Sequence, residues 1–300
     1  MSGGESPLGE DWQAWKARLE EVDFHPSKRL GQNFLLDPNL LNAIARDAEV
    51  GPGDRVVEVG TGLGFLTRAL LATGASVSSV EVDRRLHELL KEQLGEVEGL
   101  ELIRADALSG KHSLSPELIA AAGDGEPWHL VGNLPYAISG PLLAECASAL
   151  NPPSSMTVLV QKEMAERVCA GVKDSSWGLL GLRVQMSYRV RQLRTVGGAH
   201  FRPRPKVASG LMRLERRSDA PSPEVMARVV SLTGALFSRR RQVVRRVLGD
   251  LMEDREAALA LLEELEIPSE TRVQALDERE WLLLARARAW GSTEISDLGL

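Results

Sequence analysis

The sequence predicts an α/β protein, a doubly wound parallel sheet followed by a smaller all-α domain. Three observations lead there. From residue 55 to about 150, short β-rich runs alternate with helix-period stretches, a pattern suited to a parallel sheet covered by helices on both faces. A glycine-rich turn, "EVGTGLG" at 58–64, stands where the first strand hands over to a helix. Beyond "SDAPSPE" at 218–224 the apolar residues recur only at helical spacing.

Residues 10–22 carry Trp12, Trp15 and Leu19 at helical spacing and read as an amphipathic appendage packed on the main domain. "DPNLLNAIARDAEV" follows as a helix with Asp37 as N-cap and Pro38 in its first turn, and "GPGD" closes it. A strand "RVVEVG" begins at Arg55. Next come helix "GFLTRALLATG", strand "SVSSVEVD", helix "RRLHELLKEQLG", strand "LELIRAD", strand "HLVGN" and helix "SGPLLAECASAL". The connection at 110–127 is long enough for a short helix. "MTVLVQKEMAERVCAG" supplies a further strand and helix, "YRVRQLRTVGG" and "ASGLMRLERR" two late strands, and "SDAPSPE" a linker. The expected divisions are an N-terminal appendage at 1–25, the α/β domain at 26–218 and a helical domain at 219–300.

With 43% hydrophobic and 26% charged residues, 300 residues can bury one substantial core and a smaller one. No apolar run reaches the roughly 18 residues of a membrane span, and the N-terminal residues are too acidic for a targeting peptide. A cytoplasmic protein without a membrane partner is expected. Cys146 and Cys169 lack CxxC spacing and the five histidines are scattered, so neither disulfide nor metal site is expected, and both thiols should be buried and reduced. The net charge of −6 hides a basic stripe: Arg189 to Arg246 holds 15 Arg/Lys against 3 Asp/Glu, with arginine outnumbering lysine 14 to 1. Arginine's planar fork suits phosphates and bases, which makes a nucleic acid the expected partner.

The glycine turn reads G-x-G-x-G through Gly60, Gly62 and Gly64; Phe65 occupies the position that would complete a dinucleotide fingerprint. Glu58, just before it, would repel a phosphate and attract a cationic amino group. Glu81, 21 residues after Gly60, ends the next strand, where a carboxylate accepts both ribose hydroxyls. Asp106 ends the third strand and is placed to accept from the exocyclic amine of an adenine. Three acids and three glycines at the carboxyl ends of successive strands line one crevice, and together they point to S-adenosylmethionine.

"NLPY" ends the fourth strand beside that crevice. The Asn133 amide oxygen and the Leu134 carbonyl could accept from a single NH₂ group, Pro135 fixes the turn that aims them, and Tyr136 offers a flat face for stacking a base. The target this set fits is an adenine amine. Its lone pair is delocalised into the ring, and two acceptors that draw the amine toward tetrahedral geometry localise the pair for attack on a methyl sulfonium. Alignment rather than a strong base supplies the rate.

Eight segments occur in one order: "KRLGQNFLLD" (28–37), "VVEVGTGLGFLT" (56–67), "VEVD" (80–83), "ADAL" (105–108), "GNLPYAIS" (132–139), "VQKEMAERV" (160–168), "HFRPRPKVASGLMRL" (200–214) and "LFSRRRQVVRRVLG" (236–249). With them the chain resembles the ribosomal RNA adenine N6,N6-dimethyltransferase family, in its bacterial small-subunit form. The resemblance implies a Rossmann-like class I methyltransferase domain and a helical RNA-binding domain; a monomer is expected. It also implies transfer of four methyls to two adjacent adenosines near the 3′ end of 16S ribosomal RNA in a pre-30S particle, within small-subunit biogenesis. By position, it makes Asn33 and Leu35 a cofactor-capping segment and Gly60 and Glu81 the amino-acid and ribose contacts. Asp106 becomes the adenine contact, Asn133 belongs to both sites, and Phe201 is a second aromatic opposite Tyr136. Arg202, Arg204 and Lys206, interleaved with prolines, would stay extended and reach phosphates.

Three positions depart from the family pattern: Leu134 for isoleucine, Ala208 for aspartate, and Trp177 for a smaller aromatic in a loop that should pack differently. Two alternatives share the same residues. One is the macrolide-resistance type of methyltransferase, which acts on a single large-subunit adenine; "QKEMAERV" and "FSRRRQVVRRVLG" favour the small-subunit type. The other is a non-catalytic assembly factor of the same fold, against which the intact NLPY and Glu81 argue.

Overall fold

The computed structural model describes residues 12–27, 29–110, 113–172 and 174–287. The chain divides into two units. The first holds the residues up to Cys146, Asn151–Glu166 and Val190–Arg216; the second holds Ala147–Leu150, Arg167–Arg189 and the residues from Arg217 onward. The α-helical unit therefore takes in a stretch well before residue 219, where the sequence reading placed its start.

The elements in chain order begin with α1 (Trp12–Glu21), β1 (Phe34–Leu35), α2 (Pro38–Asp47), β2 (Arg55–Val59), α3 (Phe65–Leu71), β3 (Ser76–Glu81), α4 (Arg84–Leu94) and β4 (Leu100–Arg104). They continue with α5 (Pro116–Ala122), β5 (His129–Asn133), α6 (Tyr136–Ser148), β6 (Ser155–Gln161), α7 (Lys162–Cys169), α8 (Leu179–Ser187), β7 (Tyr188–Val196), β8 (Phe201–Arg202) and β9 (Ser209–Arg216). Helices α9 (Pro223–Phe237), α10 (Val244–Leu251), α11 (Arg255–Glu264) and α12 (Glu278–Arg286) follow.

Seven strands form one sheet in the order β4-β3-β2-β5-β6-β9-β7. The five from β4 to β6 run parallel, and β9 returns antiparallel to β6. Val56, Val57 and Leu130 are fully buried, as expected of strands covered on both faces. Successive strands add outward from β2 through β3 to β4, and then on the other side from β5 to β6. The order reverses between β2 and β5, and their carboxyl ends part to leave a crevice there. Side-chain caps hold the surrounding helices: Asp37 accepts from the Asn39 and Leu40 amides at 2.9 and 3.1 Å, and Asp83 from the Arg85 amide at 3.0 Å.

Four local features differ from the sequence reading. Helix α6 starts at Tyr136, three residues early, because the Pro135 carbonyl already accepts from the Ile138 and Ser139 amides at 3.1 and 3.2 Å. Helix α8 occupies a region read without an element; Leu182 and Met186 on it are buried in the core of the helical unit, against which Trp177 packs. Strands β1 and β8 form a two-stranded antiparallel ribbon that sets Leu35 opposite Phe201. Of the two free thiols, Cys146 is fully buried, its thiol pushed up to about 12 by burial, whereas Cys169 is half-buried.

Trp15 and Leu19 of α1 are buried in the core of the α/β unit, and Trp15 meets Phe65 edge-on at 6.2 Å between ring centroids. The side chain of Trp12, expected on the same face, lies outside the described residues. In the helical unit Val229, Leu232, Leu248 and Trp281 are fully buried or nearly so. No helix among the described residues is long and apolar enough to cross a membrane.

Candidate active site

The crevice at the β2/β5 switch point is lined by Asn33, Leu35, Gly60, Glu81, Asp106, Asn133, Leu134, Pro135 and Tyr136 together with apolar walls from Phe34, Val59, Val82 and Ala107. Its empty space amounts to ≈ 900 Å³ counted out to the open mouth. The structure thus brings these residues together with Gly62, and leaves Phe201, Glu58 and Gly64 outside the lining.

Gly60 has φ +85, and a Cβ there would stand 3.5 Å from both the Asn133 carbonyl oxygen and the Pro135 ring, so glycine serves the turn and keeps that wall open. Gly62 donates its amide to Glu81 Oε2 at 3.0 Å, and the Asp83 amide donates to Glu81 Oε1 at 2.8 Å. Glu81 is 5% exposed. Burial pushes its carboxyl up to about 7, against the two amides that favour the charged form. Asp106 is exposed, with Oδ1 accepting from the Leu108 amide at 3.0 Å.

Asn133 is fixed from behind. Its Nδ2 donates to the Asn33 carbonyl at 2.9 Å, and Asn33 Nδ2 donates to the Gly31 carbonyl at 3.0 Å, which ties the end of β5 to the segment leading into β1. With the NH₂ held there, the geometry leaves Oδ1 as the acceptor of that amide. Leu134 is buried, its amide donating to the Leu159 carbonyl at 3.0 Å. Half-buried Tyr136 shares a 2.9 Å hydrogen bond between its hydroxyl and Ser209 Oγ.

Three expectations need correction. Phe201 is fully buried in the core and outside the crevice lining, because pairing of β8 with β1 turns its ring inward beside Leu35. Glu58 is likewise outside the lining: it is fully buried, and its Oε2 accepts from Thr67 and Ser79 hydroxyls, both at 2.6 Å. Burial pushes Glu58 up to about 7 as well. Gly64, at φ +76, caps α3, and a Cβ on it would come within 2.7 Å of Leu94 and 2.9 Å of Leu90; it is there for helix packing.

The arginine stripe also divides. Arg213, buried in the α/β unit, donates to Glu49 and Glu215, each at 2.9 Å, and to the Asp47 carbonyl at 2.8 Å; Arg194 pairs with Asp47. In the helical unit Arg217 bonds Asp219 and Glu278 at 2.9 and 2.6 Å, Arg239 bonds Asp250 at 2.5 Å and Arg245 bonds Glu270 at 2.8 Å. Asp219 and Asp250 are held below the usual carboxylate range, chiefly by their hydrogen bonds from Arg217 and Arg239. Arg202, Arg204, Lys206, Arg228, Arg240, Arg241 and Arg246 are exposed.

Sequence reasoning missed several supporting residues. Gln32 Nε2 donates to Asp83 Oδ2 at 3.0 Å while its Oε1 accepts from the Ser27 amide at 2.7 Å, clamping the capping segment to the start of α4. The signal for it was present in "GQNF", where a glutamine beside an asparagine has two polar ends to satisfy. His200 Nδ1 lies 2.7 Å from Asp37 Oδ2. Burial alone would raise Asp37, but bonds from the Leu40 and Asn39 amides and His200 hold it below its usual range.

The chain matches the family described as ribosomal RNA adenine dimethylase across residues 24–289. It is 41% identical over 76% of its length to "Ribosomal RNA small subunit methyltransferase A" of Phenylobacterium zucineum, covering 77% of that protein. To the protein of the same name from Caulobacter vibrioides it is 39% identical over 89% of its length, covering 99% of that protein. A solved dimethyladenosine transferase from Plasmodium falciparum superposes with a TM-score of 0.68 at 25% identity, over 84% of this chain and 95% of that one. The crevice, its acids and the NLPY turn thus sit on a chain that belongs to the ribosomal RNA adenine dimethylase family.

Proposed function

We propose that this protein transfers methyl groups from S-adenosylmethionine to N6 of two adjacent adenosines near the 3′ end of 16S ribosomal RNA, giving N6,N6-dimethyladenosines. On this reading it acts as a cytoplasmic monomer on a pre-30S particle. The observation that carries the proposal is Asn133: its NH₂ is held by the Asn33 carbonyl, so its oxygen can accept, and it shares one crevice with Glu81, Asp106 and Tyr136.

The residues present fit the cofactor. Glu81 is a buried carboxylate whose two oxygens are already oriented by amides and retain lone pairs for ribose hydroxyls. Asp106 has one oxygen committed to Leu108 and a second for an adenine amine. Asn33 and Leu35 line the same crevice, and Gly60 leaves room for the amino-acid end. When bound, the cofactor supplies an electrophilic methyl on sulfur.

The chain's own part is positioning. Asn133 Oδ1 and the Leu134 carbonyl accept the two N6 protons and localise the nitrogen lone pair. Tyr136, anchored by Ser209, presents its ring to the base, a contact worth roughly 1–3 kcal/mol. Pro135 holds the two acceptors at the start of α6. No general base is assigned, because once N6 carries the new methyl its proton is acidic enough for water to take.

Mass spectrometry of ribosomal RNA from a strain lacking the endogenous enzyme tests the proposal. Expression of this chain should restore two dimethyladenosines in 16S RNA. Methylation of a single large-subunit adenine instead would move the reading to the macrolide-resistance type.

A further inference from the structure

Behind the crevice lies a hydrogen-bond chain that the assigned cofactor contacts leave unused. Thr61, in the glycine turn, lines the crevice and is 4% exposed. Its hydroxyl is 2.7 Å from Ser79 Oγ, which is 2.6 Å from Glu58 Oε2; Thr67 of α3 donates to the same oxygen at 2.6 Å. Ser79, Glu58 and Thr67 are all fully buried, and Glu58 Oε1 has no hydrogen-bond partner. Such a chain has two directions. A charged Glu58 can only accept, so Ser79 donates to it and Thr61 donates to Ser79, leaving a lone pair on Thr61 for the crevice. A neutral Glu58 can donate to Ser79 instead, which reverses the chain and frees the Thr61 proton for a ligand.

We propose that Glu58 is a positioning residue for the cofactor, acting through Ser79 to decide whether the Thr61 hydroxyl offers a proton or a lone pair to the amino-acid end. This rests on the assignment of the crevice to S-adenosylmethionine. The groups facing Glu58 are Ser79 and Glu81 from β3, Thr67 from α3 and the apolar Val131 paired with it from β5; Glu81 is the charged neighbour that acts on it. Both carboxylates are buried, and a charge on Glu81 raises Glu58 further, so a charged Glu81 favours a neutral Glu58. Ribose hydroxyls donating to Glu81 favour its charged form, keep Glu58 neutral and turn Thr61 into a donor, matched to the carboxylate of the cofactor. The second carboxylate behind the glycine turn thereby acquires a purpose that burial alone does not explain.

Calorimetric titration of the full chain with S-adenosylhomocysteine from pH 6 to 9 tests this. The wild type should bind more tightly as Glu81 ionises and then lose about tenfold in affinity as Glu58 ionises and the chain reverses. Glu58→Gln, permanently neutral, should stay within about threefold of wild type near pH 7 and lose the alkaline decline. Ser79→Ala, which cuts the chain without touching either acid, should bind about tenfold more weakly near pH 7 and lack the decline too. An alkaline decline absent from the wild type, or present at full size in both variants, overturns the proposal and leaves the cofactor assignment standing. Absence of binding by wild type at every pH overturns both.

Discussion

Glu58 on β2 and Glu81 on neighbouring β3 are both buried, and burial pushes both carboxyls up to about 7. A folded pKa above the unfolded value means that the folded state holds protons the unfolded state has lost. The stability this contributes is fully present below about pH 4.5 and is lost as pH rises through about 7, at up to about 1.4 kcal/mol per pH unit for each group. Urea denaturation of the cofactor-free protein should therefore show wild type losing stability relative to Glu58→Gln between pH 5 and 8; parallel curves would contradict it. Glu81→Gln should weaken cofactor binding by about 10- to 100-fold, as expected for losing charge-assisted hydrogen bonds, with a smaller effect on folding. Asn133, Glu81 and Asp106 were legible in the sequence because each ends a β-rich run, where a parallel sheet places its ligands. The place of Glu58 was not. Side chains alternate faces along a strand, so nearness to the glycine turn said less than the register of β2, which turns Glu58 toward Thr67. Phe201 escaped for a related reason, since its orientation is set by a partner strand 166 residues away in sequence.

Helix α1 precedes the family match, which begins at residue 24. Yet Trp15, 2% exposed, packs on Phe65, and Phe24 lies 6.3 Å from Phe34 between ring centroids; Phe34 and Phe65 both line the crevice. Truncating Trp15 to alanine should cost about 3 kcal/mol of stability by the usual cost of emptying an aromatic site in a core. A loss below about 0.5 kcal/mol in urea unfolding would show that the helix is only loosely applied. Period and capping chemistry placed the start of α2, and pattern alone made α4 and β5 readable almost to the residue. The β1–β8 ribbon was beyond reach, because two residues carry no period and only its partner makes either one a strand. Helix α8 was hidden by a different cause: its residues are apolar on several sides, and such a run shows no polar face to reveal a helix.

Across the whole molecule, the basic stripe reads differently once side chains have positions. Arg191, Arg194, Arg213, Arg217, Arg239 and Arg245 form ion pairs inside their own units. The composition showed the excess charge, but it could not separate architectural arginines from those left for a polyanion. Replacing Arg204 and Lys206 together by alanine should therefore lower RNA affinity and reduce the slope of log affinity against log salt by about 1 to 2, leaving the unfolding curve in place. Arg217→Ala should do the opposite, destabilising the helical unit with little change in salt slope. An unchanged slope for the first variant would mean that its cations face solvent.

The central claim is that the acceptor at the end of β5 takes part in the chemistry itself and is not merely one more cofactor contact. Single-turnover methylation of undermethylated small subunits by Asn133→Ala, with S-adenosylhomocysteine affinity measured on the same preparation, tests it most directly. The account predicts a rate at least about 10³-fold below wild type with affinity retained to within about tenfold. A variant that methylates at the wild-type rate would contradict it.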